Sequence, residues 1–225
     1  MKVFKLSSSI KAFLFDLDGT LFDTAPQLCE AVNQMLVALN LPELESSEIS
    51  KFIGKGALNL VAKSIEKANI DNVDLDMELA FDYFQNFYMK NAGDSHAYDG
   101  VMETLQVLKN RGYQLACVTN KPSKFTNLIL EKNNSLAIFD YVVCGDEMLS
   151  LKPDPFSIQY VCEKLGIKTS EALMVGDSNN DIDSAYAAGA KMAFVPYGYQ
   201  SQEKIKTDRI DQKINSIKEL ENLIG

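Results

Sequence analysis

The sequence predicts an α/β chain: a Rossmann-like parallel sheet with a helical cap inserted after the first strand. Three observations predict it. Short apolar runs recur at 12–15, 114–118, 141–144, 173–175 and 191–195, each followed by polar residues or glycine. Strands buried on both faces of a parallel sheet read as such runs. Helical patterns separate the later runs, the alternation that builds right-handed crossovers. The stretch 23–97, directly after the first run, carries helical periodicity and no convincing strand.

Taken in order, the run at 12–15 ends in Asp16, and the insert then opens at Thr24 and Pro26, a helix-start pair. Helices are expected at 25–39, about 56–67 and 76–90. The segment from Asn91 through Gly93 to Asp99-Gly100 reads as the return hinge, with His96 an ordinary residue beside it. Beyond it, Val101, Leu105 and Leu108 share one helix face, and Phe156, Tyr160 and Val161 another, with Gly166 stopping the second helix. The expected division is a core of 1–22 and 98–225 and a cap of 23–97. A cap so placed lies over the carboxyl edge of the sheet, where ligands of open α/β sheets bind, and can exclude water there.

At 225 residues the chain is one large domain or a domain with an insert, and it can bury a substantial core without staples. Its 22 basic and 31 acidic residues give a net charge of −9, a field that repels nucleic acid and anionic membranes. A small anionic substrate needs a local cation or a few placed lysines. The single histidine, His96, excludes His-rich metal sites and two-histidine mechanisms. Cys29, Cys117, Cys144 and Cys162 form no C-x-x-C pair and read as reduced, buried small hydrophobes. No segment approaches a membrane span. The N-terminus, with Lys2, Lys5 and Ser7 to Ser9 ahead of a run broken by Lys11, does not read as a signal peptide, so the cytoplasm is expected.

Four motifs carry chemistry. Asp16-Leu17-Asp18-Gly19-Thr20 sets two carboxylates after a strand. In extended chain they point to one side and need a cation between them, for which hard oxygens favour Mg²⁺. Val118-Thr119-Asn120-Lys121-Pro122 offers a hydroxyl and backbone N–H groups to phosphate oxygens. Lys152, ahead of Pro153-Asp154-Pro155, can neutralise a phosphate. Gly176-Asp177-Ser178-Asn179-Asn180-Asp181 places Asp177 as a metal ligand and Asp181 in support. Each alone has a plainer reading as a turn, an N-cap or a solvated lysine. Together, each after an expected strand, they gather on one sheet edge and fit phosphoryl transfer.

These four motifs, in this order over about 13–190, resemble the haloacid dehalogenase superfamily. The fuller strings FDLDGTLFDTAP, VTNKP, LKPDPF, VCEKLGI and VGDSNNDI, with Tyr197-Gly198-Tyr199, resemble its phosphoglycolate phosphatase branch. The resemblance implies Asp16 as the nucleophile that becomes an aspartyl-phosphate and Asp18 as general acid and then base. It implies Thr119 and Asn120 on the phosphoryl oxygens and Lys152 on the developing charge. It implies Mg²⁺ on the Asp16 carboxylate, the Asp18 carbonyl and Asp177, with Asp181 behind them. The substrate it implies is a small phosphorylated metabolite, 2-phosphoglycolate first. A sugar phosphatase or phosphomutase keeps the same motifs, and a phospho-acceptor signalling domain is the non-enzymatic alternative. The hinge departs from the family, with Ala97-Tyr98-Asp99-Gly100 where Pro-x-Pro-Gly is common. In the insert, Gly54-Lys55-Gly56 resembles the cap loop that reads the leaving group, with Lys55, or the loop N–H groups at the start of the helix after Gly56, the expected contact for an acidic one; a plain turn with a solvated lysine is the alternative.

Overall fold

The computed structural model describes residues 9–70, 73–199 and 204–223; Lys2, Lys5, Ser7 and Ser8 lie outside them. Strands β1 (Ala12–Phe15), β4 (Gln114–Val118), β5 (Tyr141–Val143), β6 (Ala172–Gly176), β7 (Lys191–Phe194) and β8 (Gln212–Lys213) form one sheet in the order β5-β4-β1-β6-β7-β8. Every pairing in it is parallel. Period-2 alternation sends Phe13, Phe15, Leu115, Cys117, Leu173 and Val175 to one face and Ala12, Leu14, Ala116, Val118, Ala172 and Met174 to the other. Both faces are buried, so these strands show as continuous apolar runs.

Helices α5 (Val101–Asn110), α6 (Ser123–Lys132), α7 (Phe156–Lys164) and α8 (Asn179–Ala188) cover the sheet, and α9 (Leu220–Leu223) packs against α5. The face of α7 differs from expectation. Ser157, Ile158, Val161 and Cys162 go inward, while Phe156 and Tyr160 are half-buried and stack on each other.

The register decides the chemistry. Phe15 lies beside Cys117 on one side and Val175 on the other. The residues just past these three strand ends are therefore neighbours at the carboxyl edge.

Between the first strand and the rest of the sheet the chain forms α1 (Ala25–Ala38), α2 (Ser46–Ile49), α3 (Ala57–Ala68) and α4 (Met77–Asn91). The absence of strand expected over 23–97 is corrected at its ends. There β2 (Phe22–Asp23) pairs antiparallel with β3 (His96–Ala97), a neck too short to leave an alternating pattern. Amphipathic faces join the helices: Leu28, Val32 and Met35 of α1 and Ala80, Phe84 and Tyr88 of α4 are buried where α1 packs on α4. Phe84 stacks on Tyr88 with ring centroids 5.6 Å apart, and Tyr88 meets Phe125 of α6 at 4.7 Å. This aromatic cluster seats the helical layer on the core. No helix among the described residues is long and apolar enough to cross a membrane.

Candidate active site

Asp16 follows β1 directly, and its N–H donates to the Val175 carbonyl at 3.0 Å, holding it against the end of β6. Lys152 reaches it from below the loop after β5. The ammonium lies 2.9 Å from Asp16 Oδ1 and 2.7 Å from Asp181 Oδ1, and donates to the Val118 carbonyl at 2.7 Å. Asn120 fixes the backbone of Lys152: its Oδ1 accepts from the Lys152 N–H at 2.8 Å and its Nδ2 donates to the Lys152 carbonyl at 2.9 Å. The lysine is thus positioned before any ligand arrives.

Asp177 stands at the end of β6. The carboxylates of Asp16, Asp177 and Asp181 lie within 4.8 Å of one another, all buried. Burial first, with Asp181 and Asp18 adding to it against Lys152, raises the Asp16 carboxyl to about 7. Burial, then Asp181 and Asp16, raises Asp177 well above the usual carboxylate range. Burial alone would lower Lys152, but the Asp16 and Asp181 charges outweigh it and keep the ammonium charged. Three buried carboxylates against one lysine leave an excess of negative charge, and a divalent cation with oxygen preference fits that donor set.

Asp181 has both oxygens engaged. Oδ2 accepts from the Ser178 N–H at 3.1 Å and the Ser178 hydroxyl at 2.6 Å, and Oδ1 takes Lys152. Gly176 permits this approach, since a Cβ there would lie 2.4 Å from the Asp181 carboxyl carbon.

Asp18 lines the same cavity as Asp16, but stands apart from the acidic trio. The strand ends at Phe15, and Asp18, three residues on, finds partners of its own. Its Oδ1 accepts from the Thr24 hydroxyl at 2.7 Å, and Lys121 Nζ lies 3.0 and 3.2 Å from its two oxygens. Thr24 occupies the N-cap position of α1, as expected, yet its hydroxyl does not cap the helix. The Tyr199 hydroxyl does so instead, accepting from the Thr24 N–H at 2.6 Å and the Ala25 N–H at 2.8 Å while donating to Asp23. The Tyr199 N–H donates to Asp177 Oδ2 at 2.6 Å, so one residue touches both the acidic trio and the neck.

Thr119 is not the cap of α6, a position that Pro122 fills; its hydroxyl accepts from the Lys121 N–H at 3.2 Å. It lines a cavity of about 30 Å³ with Asp16, Asp18, Asn120, Lys121, Gly54 and Gly56, closed by Leu28, Ile53, Leu60, Phe84, Tyr88 and Phe125. The loop of Gly54 is docked there, because its carbonyl accepts from Asn120 and Asn180 side chains at 3.0 and 3.1 Å.

Of the residues read from sequence, Asp16, Lys152, Asp177 and Asp181 come together, and Asp18, Thr119, Asn120, Gly54 and Gly56 line the adjoining cavity. Lys55 does not. It lines an outer cavity with Gln85, Lys124 and Asp146, which adjoins the inner one along Gly56, Ala57, Asn120 and Pro122. The buried cation of the inner cavity is Lys121, in the quoted VTNKP string but given no role there. Tyr88 was hidden in an aromatic-rich helix, and Tyr199 in a loop whose partners are about 175 residues away.

A carboxylate, a fixed ammonium and an acidic cation cage at one sheet edge are the parts of a phosphoryl-transfer enzyme. The model of the family "haloacid dehalogenase-like hydrolase" matches residues 13–195, and the chain belongs to that family. It is 41% identical over 217 residues to a phosphoglycolate phosphatase of Nitrosospira multiformis, covering 96% of each chain. It is 37% identical over 220 residues to that of Vibrio parahaemolyticus, again covering 96% of each. A crystal structure from Haemophilus somnus, described as a predicted phosphoglycolate phosphatase, superposes with a TM-score of 0.92 at 31% identity, covering 97% of this chain and 99% of that one.

Proposed function

We propose that this hydrolase converts 2-phosphoglycolate to glycolate and phosphate through an aspartyl-phosphate on Asp16, in the cytoplasm, with residues 23–97 as a cap on a core of 1–22 and 98–225. The observation that carries the reading is Asp16, paired with the buried Lys152 at 2.9 Å, lining one cavity with Asp18 and Thr119, in a chain whose relatives are phosphoglycolate phosphatases over nearly their whole length.

Asp16 attacks phosphorus, and the bond from phosphorus to the leaving oxygen breaks. Asp18 protonates that oxygen, then takes a proton from the water that attacks phosphorus and frees Asp16. Thr119 and the backbone at Asn120 hold the phosphoryl oxygens; the Asn120 side chain is spent on Lys152 and Gly54. Lys152 offsets the charge gathered on Asp16 and the phosphoryl group. Asp16, Asp177 and the Asp18 carbonyl would hold Mg²⁺, with Asp181 keeping Lys152 in register. Bound there, the ion supplies positive charge to the phosphoryl oxygens and relieves repulsion among the carboxylates.

The apolar side chains of the wall favour a leaving group with few polar atoms over a sugar ring, which needs partners for its hydroxyls. A phosphate-release screen of phosphomonoesters with Mg²⁺ tests this. The expected result is the highest kcat/KM for 2-phosphoglycolate. A sugar phosphate ranking first, or isomer forming without phosphate release, would overturn it.

A further inference from the structure

The Tyr88 hydroxyl is buried and makes no hydrogen bond of good geometry, with the Lys121 ammonium as its polar neighbour, and the residue lines the cavity that holds Asp16, Asp18 and Thr119. Among the described residues, the other buried side-chain atoms without partners belong to Ser64, Asn91 and Ser157, none of which lines that cavity. Packing does not call for the hydroxyl, because stacking on Phe84 and edge contact with Phe125 use only the ring. A buried donor left unmade costs stability, so a phenylalanine would serve the core better. Beside it, the Lys121 ammonium lies 4.7 Å from the centre of the Tyr88 ring. Its side chain is 3% exposed, and Asp18 is its paired carboxylate. An ammonium has three donors and a phenol one.

We propose that the Tyr88 hydroxyl and the Lys121 ammonium together receive the carboxylate of the leaving group. This rests on reading the chain as a phosphatase of a small acidic ester. Away from the Asp16, Asp18, Thr119 and Asn120 end that takes the phosphoryl group, the wall is largely apolar (Leu28, Ile53, Leu60, Phe84 and Phe125), and there the two donors are the side chains that match a negative group. Selection of an acidic ester then comes from one residue of α4 and one of the loop before α6, rather than from Lys55.

The test compares 2-phosphoglycolate with ethyl phosphate, which keeps two carbons and lacks the carboxylate, on wild type, Tyr88→Phe, Lys121→Met and Lys121→Arg. Wild type should prefer 2-phosphoglycolate. Tyr88→Phe should raise its KM about tenfold with a smaller change in kcat, and cut the preference by a similar factor. Its thermal midpoint should not fall, since a hydroxyl without a hydrogen bond of good geometry is being removed. Lys121→Met should lose the preference, and Lys121→Arg should retain more of it. A preference that survives Tyr88→Phe and Lys121→Met refutes the receptor while leaving the substrate reading intact. Wild type without any preference refutes the substrate reading and the receptor with it. A lowered midpoint with equal losses on both esters makes Tyr88 a packing residue and also overturns the proposal.

Discussion

Lys152 and Asp181 form an ion pair of 2.7 Å with side chains only 2% and 0% exposed. Such a pair is weak evidence for stability in itself, since both charges are desolvated, but removing one partner strands the other. Here the stranded groups would be Asp181 and Asp16 together. Lys152→Met should lower stability by about 3–5 kcal/mol in the metal-free protein. Chemical denaturation checks this, and added Mg²⁺ should recover part of the loss. A stability equal to wild type would mean that the carboxylates are neutralised by something other than the lysine.

Gly198 sits where a Cβ would lie 2.3 Å from both Asp177 Oδ2 and the Gly19 carbonyl. Gly198→Ala should push Asp177 from its place and weaken Mg²⁺ binding about ten- to a hundredfold, the usual effect of disturbing the support of a ligand. Activity titrated against Mg²⁺ reads this as a shifted midpoint. An unshifted midpoint would detach Asp177 from the metal.

The strands were legible because a parallel strand buried on both faces is apolar throughout, and Asp16, Thr119 and Asp177 were legible because each follows such a strand directly. What lay hidden depends on long-range contacts. The β2–β3 pair and β8 are two residues per strand and carry no period. Lys55 and Lys121 are each loop lysines, and only the docking of Gly54 on Asn120 and Asn180 turns the first away from the cavity that the second enters. The direction of Asp18 follows from Thr24 and Lys121, the latter 103 residues distant.

Lys55→Ala should therefore cost less in kcat/KM for 2-phosphoglycolate than Lys121→Ala, by about tenfold or more. Steady-state kinetics on the two variants side by side decides it. A larger loss at Lys55 would return the acidic contact to the cap loop.

Asp140 ties two neighbouring strands. Its Oδ2 accepts from the Leu115 N–H at 2.8 Å, and its Oδ1 pairs with Lys109 at 2.5 Å. Although burial opposes it, hydrogen bonds from Lys109 and Leu115 lower its carboxyl below the usual value. A depressed carboxyl stabilises the fold above its unfolded value, near pH 4, and loses that contribution as pH falls through the folded value. Asp140→Asn should thus be less stable than wild type at pH 7, with the gap narrowing below pH 4. Denaturant midpoints at both pH values test it; a constant gap would mean that ionisation of Asp140 is not what stabilises.

Chelation should abolish turnover and Mg²⁺ restore it. Ca²⁺ should restore it poorly, because its larger and looser shell spoils the alignment of nucleophile and phosphate. Full activity in chelator would remove the cation from the account.

The claim on which the rest depends is that Asp16 takes the phosphoryl group before water does. The stereochemical course at phosphorus, followed with a chirally oxygen-labelled thiophosphate ester, tests it most directly. Two in-line displacements, on Asp16 and then by water, predict net retention of configuration. Inversion would mean that water attacks the ester in a single step and that Asp16 is not the nucleophile.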